Sequence, residues 1–246
     1  MKKSPEESYQ ERIGRIYDAI QLKVPDRVPI YLGFGYFAAK YVGMSVEEAF
    51  YDLNKWFLAN KKTIMEFKPD MYEGPDFKSG LVMEILGSKI VRWPGHGVSS
   101  SHTFQFVEGE YMKADEYDAF LDDPSDYIIR TYLPRVCKTL EPLKNLPPLW
   151  LFLYQDTPTA LFAVFGNAEI SAVLESLLKA GREAKKWVAA GEAFDKEMAE
   201  LGFPTVGRTL AMAPFDVISA FFRGIRGSML DIYRQPDKPL EAIEKI

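Results

Sequence analysis

Short runs with strand character alternate along this chain with longer amphipathic segments, and this alternation restricts the folds that the chain can adopt. We interpret Arg27–Gly33, Asp70–Glu73 and Thr209–Ala213 as strands. Helical patterns separate these strands, and strands separated by helices of this length predict βα units. The sequence therefore predicts the α/β fold class with a largely parallel sheet.

Two predicted helices carry clear local signals. Glu6–Lys23 has apolar residues at spacings of three and four, which predicts an amphipathic helix with one apolar stripe. Ser45–Phe67 opens with a capping box, because the Ser45 hydroxyl and the Glu48 carboxylate can each accept from the other's backbone N–H. We expect each of these segments to form one helix.

The segment Ala168–Leu201 has the clearest apolar periodicity in the chain. Apolar and small residues recur there at alternating steps of three and four, a pattern that a coiled coil also shows. Gly181, Ala184 and Gly191 fall in this stripe, and small side chains favour close packing against another element of the same fold. We expect one long helix packed in this way, with a coiled coil as the alternative.

A strand pair and two helices interrupt the βα order between the second and third predicted strands. Ser88–Trp93 and Thr103–Val107 flank a loop rich in glycine and serine, so we expect a β-hairpin insertion. Ala114–Leu121 and Pro124–Lys138 are predicted helices, the second with proline in its first turn, where no backbone N–H is needed. The aromatic run Trp150–Tyr154 is interpreted as core or as a subunit contact.

Composition and charge exclude several classes of protein. The 246 residues carry a net charge of −5, which argues against broad nucleic-acid binding but leaves room for a local basic pocket. The single cysteine, Cys137, excludes an internal disulfide and a zinc site built from several thiolates of this chain. The first seven residues are polar, and the longest apolar run, Leu149–Tyr154, is too short to span a bilayer. We expect a cytoplasmic protein that neither binds nucleic acid nor crosses a membrane.

Two sets of short motifs stand near the two ends of the chain. The first set is ERI at 11–13, AI at 19–20 and PDRVPI at 25–30, and the second is APFD at 213–216, RG at 223–224, MLDIY at 229–233 and Pro236. In this order and spacing they resemble the uroporphyrinogen decarboxylase superfamily. Predicted helices, strands and loops follow in the matching order between the two sets, so the resemblance covers essentially the whole chain.

The resemblance implies a (β/α)8 barrel with its cleft at the C-terminal ends of the strands. A complete barrel of this type needs about 250 residues or more, and only three or four βα units are predicted here. We expect one domain over residues 1–246 that holds about the first half of the barrel, an N-terminal helical region and the hairpin insertion. The last predicted helix is still in full pattern at Ile246, so we expect the rest of the barrel to lie beyond that residue.

The family includes the decarboxylase of haem and porphyrin biosynthesis, whose tetrapyrrole substrate carries eight carboxylates. The resemblance implies arginines just after the first strand, where counting from Pro29 places Phe34 and Ala38 instead. It also implies a threonine and a tyrosine where this chain has Asp216 and Ala220. An aspartate after the second strand is matched by Asp76, with a shift of one residue, or by Glu73. Guanidinium groups suit the binding of carboxylates, so their absence disfavours uroporphyrinogen decarboxylation.

The family also includes corrinoid and coenzyme M methyltransferases, which use a zinc-bound thiolate. This branch does not need those arginines, and the loop Gly33–Phe34–Gly35–Tyr36, with Phe37, could face a flat corrinoid or an apolar methyl donor. The zinc ligands that the resemblance implies, a His-x-Cys pair and a later cysteine, would lie beyond Ile246. We therefore expect no metal ligand in this chain, and corrinoid and zinc only in a longer protein.

Several residues are candidates for a site on their own chemistry. Glu73 and Asp76 follow a predicted strand and could form a general acid–base pair, with a solvated loop or helix cap as the alternative. Asp216 opens a predicted helix, so an N-cap role is favoured over ligand binding.

Cationic and metal-binding candidates are weaker. Arg223 and Arg226, three apart on one predicted helix, could clamp an anion, although a surface salt bridge is the favoured interpretation. His96 lies in the glycine-rich loop and could move protons, but with only His102 nearby it predicts no metal site. Cys137 is predicted to be a small buried side chain within a helix.

Three functional hypotheses follow. The first is a methyltransferase-like enzyme acting with a corrinoid or thiol cofactor. The second is a uroporphyrinogen decarboxylase, a lyase. The third is a non-catalytic binding subunit or inactive fragment, because neither catalytic set is complete in this chain. The expected partners are a small molecule (a tetrapyrrole, corrinoid or methyl donor) and a second copy of the chain, since a half barrel exposes strand edges and apolar helix faces.

Overall fold

The computed structural model describes residues 3–154, 158–206 and 212–246 of the chain. It belongs to the α/β class, with most of the described residues in helices and few in strands, and those residues form no closed barrel. Of the predicted strand Thr209–Ala213, residues 209–211 lie outside the described residues. No single helix in the described ranges is long and apolar enough to cross a membrane, whereas one helix pair with a 68° bend, Thr159–Gly166 with Ala168–Glu200, passes that test by length and composition.

The chain divides into two compact units. Unit 1 contains Met1–Leu81, Trp93–Phe104 and Arg182–Thr209. Unit 2 contains Val82–Arg92, Gln105–Gly181 and Leu210–Ile246.

Unit 1 begins with helix α1, Pro5–Ile20, as its apolar stripe predicts. The Ser4 side chain accepts from the Glu7 backbone N–H at 3.1 Å, and the Glu7 carboxylate accepts from the Ser4 N–H at 2.7 Å, so a capping box fixes its start. The helix ends three residues earlier than Lys23. Leu22 adopts a positive φ of 58°, which does not continue an α-helix.

The predicted helix Ser45–Phe67 is two helices rather than one. After α2, Phe37–Tyr41, the chain forms α3, Val46–Tyr51, and α4, Leu53–Phe67. The capping box of Ser45 and Glu48 is confirmed at the start of α3. Asp52 leaves the helical conformation and accepts from the Lys55 N–H at 3.0 Å, so it caps a new helix where continuity was expected.

The parallel pairing predicted for the first two strands is confirmed. Strand β1, Tyr31–Leu32, pairs with β2, Met71–Tyr72, in parallel, with Tyr31 opposite Met71. On the other side of β2, Tyr72 forms a parallel bridge with Thr205. Both strands are shorter than predicted, because only two residues of each form ladder hydrogen bonds.

The long helix predicted between Ala168 and Leu201 is confirmed as α10, Ala168–Glu200. Its Gly191 faces Phe77, and a Cβ at Gly191 would clash with that ring, so close packing is confirmed there. No atom of the described residues lies within 4 Å of the position of a Cβ at Gly181, so those residues do not provide the close packing predicted there. Three large side chains of the predicted stripe, Ile170, Phe194 and Met198, are buried as expected. Val173 and Trp187, which lie beside that stripe, are buried with them.

Unit 2 contains most of the predicted insertion. Helix α5, Gly80–Leu86, and strand β3, Val91–Pro94, each have residues in both units, and β4, Gly97–Val98, belongs to unit 1. Strand β5, Gln105–Phe106, pairs with β3 in antiparallel register, Val91 opposite Phe106, as the strand-pair prediction requires.

The helices that follow in unit 2 are short. They are α6, Tyr117–Asp122; α7, Pro124–Tyr127; a π turn, Ile128–Tyr132; α8, Leu133–Val136; the 3-10 segments Lys138–Asn145 and Leu149–Leu153; α9, Pro158–Phe162; and the 3-10 segment Ala163–Gly166. Pro124 occupies the first turn of α7, as predicted, and Asp123 caps it. Cys137 is buried as predicted, but it lies just after α8 in extended conformation rather than within a helix.

The core of unit 2 forms around its C-terminal helical elements. In chain order these are α11 (Pro214–Val217), a π turn (Ile218–Arg223), α12 (Gly224–Arg234) and α13 (Asp237–Lys245). Phe222 packs edge-on against Phe120 and Tyr132, with ring centroids 5.4 and 5.0 Å apart. The Trp150–Tyr154 run is not core, since Trp150, Leu153 and Tyr154 are all exposed. The subunit contact that was its other interpretation remains a prediction.

Candidate functional site

The ends of β1 and β2 place a glycine beside a carboxylate in unit 1. Gly33 and Glu73 directly follow these parallel strands, and the Glu73 backbone N–H donates to the Leu32 carbonyl at 3.0 Å. A Cβ at Gly33 would clash with the Glu73 carboxylate. The absence of a side chain at position 33 therefore leaves the space in which Glu73 lies.

Tyr31 is the polar neighbour of this carboxylate. Its hydroxyl donates to Glu73 Oε2 at 3.5 Å, and Glu73 itself is exposed. Burial raises the pKa of Tyr31, and the negative charge of Glu73 raises it further. The phenol therefore stays protonated as a donor, and Glu73 is an accessible carboxylate that can exchange a proton with a bound molecule.

Tyr36 is enclosed by other aromatic rings. Its ring stacks on Phe50 and on Trp56, with centroids 5.3 and 5.5 Å apart, and Phe104 approaches it edge-on. The ring therefore belongs to the core and is not a platform for a flat cofactor, which corrects the interpretation of the loop for this residue. The buried Tyr36 hydroxyl has no hydrogen-bond partner of normal geometry among the described residues.

Asp76 lies close to that hydroxyl and has other partners of its own. Burial raises the pKa of Tyr36, and the charge of Asp76 raises it further. The Asp76 carboxylate pairs with Lys78 at 3.0 Å, while its backbone carbonyl accepts from Trp56 Nε1 at 3.0 Å. Lys78 Nζ also stands 4.3 Å from the centre of the Phe104 ring. Asp76 is therefore charge-compensated, whereas Glu73 has a neutral phenol beside it, and their action as an acid–base pair remains a prediction.

A partly exposed aromatic cluster follows β1. It consists of Phe34, Phe37, Tyr41 and Phe67. Gly35 has a φ of +46° between the first two phenylalanines, a conformation that glycine adopts without steric cost. Phe37 is 48% exposed, so this cluster presents apolar ring surface next to Gly33.

His96 lies in the turn between β3 and β4. Its ring stacks on Trp93 with centroids 4.8 Å apart and lies 6.0 Å from the Tyr51 ring. Among the described residues, no group of three or more histidine, cysteine, aspartate or glutamate side chains could hold a metal ion. Stacking against aromatic rings is thus the observed setting of His96, and its role as a proton shuttle stays a prediction.

Asp216 and Arg223 lie in unit 2, whereas Gly33, Tyr31 and Glu73 lie in unit 1. Asp216 is not an N-cap as predicted, because the N-cap of α11 is Ala213 and Asp216 lies within the first turn. Arg223 is not a surface residue. It is buried, its Nε donates to Asp231 Oδ2 at 2.5 Å, and Nη1 donates to the Met112 carbonyl at 2.6 Å. Arg226 is exposed, because the π turn and the positive φ of Gly224 interrupt the helix between the two arginines.

Sequence reasoning missed Tyr31 and Lys78 as site residues. Tyr31 precedes Gly33 by two residues on a strand, which places both on the same face, so the period of a strand could have indicated it. Lys78 carries no such local signal, because its contacts with Asp76 and Phe104 depend on how the loop folds back.

No protein-family model, no curated protein and no solved structure matches this chain.

Proposed function

We propose that unit 1 is the opening part of an α/β barrel of the uroporphyrinogen decarboxylase superfamily type, with a small-molecule site at the C-terminal ends of β1 and β2. The observation that carries the proposal is the parallel order β1, β2, Thr205. Successive parallel strands joined by helices are the repeating arrangement of such barrels. Enzymes of this architecture place their chemistry at the C-terminal strand ends, where Gly33 and Glu73 lie.

The reaction class that we propose is methyl transfer. A corrinoid, when bound, supplies a methyl group to an acceptor, and its flat apolar faces are suited to aromatic rings. Phe34 and Phe37 of the exposed aromatic cluster would hold such a face next to Gly33, whereas the enclosed ring of Tyr36 would not. Glu73 would exchange a proton with the methyl acceptor, and Tyr31 would position that carboxylate.

Zinc does not fit the part of the chain that the structure describes, because that part has no cluster of three or more suitable side chains. We derive no step through zinc for these residues. The single cysteine, Cys137, is buried, and burial raises the pKa of its thiol, so it is a poor metal ligand. A cytoplasmic setting and a second copy of the chain as partner complete the proposal.

Decarboxylation of a polycarboxylate is less well supported than methyl transfer. Ala38, at one of the positions where the resemblance implies arginine, is completely buried, and Phe34 packs against Phe67. Neither position therefore offers a cation to a carboxylated substrate.

An absorbance titration with hydroxocobalamin tests the proposal. The full chain is expected to shift the corrinoid spectrum in a saturable way, and Phe37→Ala is expected to weaken that binding about fivefold or more, because a stacked aromatic surface is lost. The matched control is Phe162→Ala in unit 2, an aromatic residue with 56% exposure, which should change binding less than twofold. Absence of a saturable shift, or equal losses in the two variants, would contradict the proposed site.

A further inference from the structure

A cleft of about 430 Å³ in unit 2 is lined mainly by basic side chains, although the net charge of the whole chain is negative. Its polar lining consists of Lys89, Arg130, Thr131, Arg135, Glu141 and Lys144. Four of these side chains are cationic and one is anionic. A concave surface of one charge sign concentrates ions of the opposite sign.

The π turn Ile128–Tyr132 accounts for the placement of both arginines in one cleft. The Leu133 backbone N–H donates to the Ile128 carbonyl, five residues back, instead of four as in an α-helix. Five residues of an α-helix turn through about 500°, so Arg130 and Arg135 would point about 140° apart. The wider turn reduces that angle, and both side chains line the cleft. Turns of this kind recur at functional sites because they cost backbone stability.

Carboxylates behind the cleft hold the two guanidinium groups in place. Arg130 donates to both oxygens of Asp126 at 2.6 Å and to the Leu146 carbonyl at 3.3 Å. Arg135 donates to both oxygens of Glu116 at 2.6 Å.

Arg135 also donates to the Tyr111 carbonyl at 2.8 Å. Each guanidinium has five N–H donors and uses three of them on described residues, so two remain on each for a ligand. Guanidinium groups that are already fixed lose little side-chain entropy on binding.

Lys89 enters the cleft from a second element. Its backbone N–H donates to the Val136 carbonyl at 2.8 Å, which ties it to the end of α8. Its exposed ammonium group forms no ion pair with the described residues, in contrast to both arginines and Lys144. Lys89 is therefore the cation whose charge is not already compensated.

The local charge remains positive when all partners are included. The four cations face Glu141 in the lining and Asp126 and Glu116 behind it, which leaves a balance of +1. The hydrogen bond and charge of Lys144 lower the pKa of Glu141, and the charges of Lys89 and Lys138 lower it further. The Lys144–Glu141 pair is about half exposed, so it is weak and Lys144 can turn towards a ligand.

We propose that this cleft binds a phosphate group, either as the free anion or as part of a phosphorylated small molecule. Two fixed guanidinium groups, the Lys89 ammonium group and the Thr131 hydroxyl offer the donors that suit tetrahedral phosphate oxygens. The inference is independent of the methyl-transfer proposal, since all of these residues belong to unit 2.

Calorimetric titration of the full chain with inorganic phosphate, at an ionic strength held constant with sodium chloride, tests the proposal. We expect saturable binding with a Kd of about 1 mM or tighter. Lys89→Ala should weaken binding about fivefold or more. Lys179→Ala, which removes another exposed lysine of unit 2 that does not line the cleft, should change binding less than twofold.

A second variant tests whether the carboxylate in the lining of the cleft competes with the bound anion. Glu141→Gln removes the competing carboxylate and should strengthen binding about threefold while the chain stays folded by circular dichroism. Glycerol 3-phosphate, titrated in parallel, distinguishes the two sources: tighter binding than inorganic phosphate identifies a phosphorylated molecule, and equal binding identifies the free anion. Absence of saturable binding to both probes, or equal losses for Lys89→Ala and Lys179→Ala, would overturn the proposal.

Discussion

Each unit buries a network of charged side chains, and the two networks are built differently. In unit 1 the completely buried carboxylate of Asp70 accepts from two arginines, Arg15 and Arg27, and from the Ile30 backbone N–H at 2.8 Å. In unit 2 one arginine, Arg223, meets one buried carboxylate, Asp231, with both side chains 3% exposed, and a half-exposed carboxylate, Glu110, lies 3.9 Å from the guanidinium.

The difference lies in what each network connects. Asp70 immediately precedes β2 and Ile30 immediately precedes β1, so their hydrogen bond fixes where the two parallel strands start relative to each other. Arg15 brings α1 to the same carboxylate and continues to the exposed Asp26 at 2.6 Å. Arg223 and Asp231 are only eight residues apart, and their further partners are the Tyr117 hydroxyl, the Met112 carbonyl and the more distant Glu110 carboxylate. The first network aligns the strands that carry the candidate site, and the second fills the interior of a helical core.

The largest effect is expected at Asp70. Asp70→Ala leaves a buried guanidinium and a backbone N–H without their partner and should lower the free energy of unfolding by about 4 kcal/mol. Chemical denaturation measures this loss. Asp26→Ala, which removes an exposed carboxylate bonded to the same Arg15, is the matched control and should cost much less. Similar losses in the two variants would contradict the view that Asp70 is the centre of the network.

Replacing the buried pair of unit 2 sharpens the contrast. Arg223→Met alone leaves the Asp231 carboxylate buried without its cation and should cost about 3 kcal/mol, because an uncompensated buried charge is unfavourable. The double variant Arg223→Met/Asp231→Leu should return to within about 1 kcal/mol of the original stability. The analogous double variant Asp70→Ala/Arg27→Met should not recover, since Arg15 still lacks its buried partner. Denaturant titration of these three variants and of Asp70→Ala decides whether the networks differ in this way.

The free energy of unfolding should fall at acidic pH, partly because each unit has a carboxylate that is hydrogen-bonded to an arginine. Hydrogen bonding to Arg135 lowers the pKa of Glu116 to about 2, and hydrogen bonding to Arg15 lowers the pKa of Asp26 to about 2. Both values lie below those of the unfolded chain, so this stability is complete above about pH 5 and is lost as the pH falls towards 2.

Glu116 is 23% exposed and Asp26 62%, so Glu116 should account for the larger part, on the order of 2 kcal/mol after allowance for solvent screening. Denaturation between pH 2 and 7 should therefore show a shallower acid limb for Glu116→Gln than for Asp26→Asn. The opposite ranking would mean that exposure does not control the effect.

The smallest expected effects are at helix starts. In unit 1, Ser45→Ala removes the side chain that caps α3 and should cost about 1 kcal/mol. In unit 2 the N-cap of α11 is Ala213, which has no capping side chain, so Ala213→Ser should stabilise by about 0.5 kcal/mol. Thermal unfolding detects both shifts, and a loss for Ala213→Ser would show that the backbone there cannot accept a cap.

The elements that the sequence predicted best have causes within a few residues. The capping box of Ser45 and Glu48 and the position of Pro124 follow from backbone geometry, and both are confirmed. The break at Asp52 has a local cause as well, because aspartate is a favoured N-cap, yet the apolar periodicity on either side concealed it. Which residues of α10 are buried had no local cause. Phe194 of the predicted stripe became core together with the neighbouring Trp187, whereas Leu174 and Val188 of the same stripe stayed exposed.

Part of the candidate site was also predictable. Gly33 and Glu73 come together because parallel neighbouring strands end at the same edge of a sheet, and strand positions can be estimated from the sequence. The enclosure of Tyr36 by Phe50 and Trp56 could not be predicted, because these rings come from separate helices. The charge compensation of Asp76 by Lys78 depends in the same way on the path of a loop.

The sequence by itself determined the α/β class, the starts of several helices and the parallel pairing of the first two strands, since these depend on propensity, capping and short-range pattern. Only the tertiary structure decided that Arg223 is buried against Asp231 and that Asp70 pairs with both Arg15 and Arg27. It also decided that Arg130 and Arg135, at a π turn, line the same cleft. The physical reason is that burial and charge pairing depend on residues far apart in the chain, whose contacts no local pattern contains.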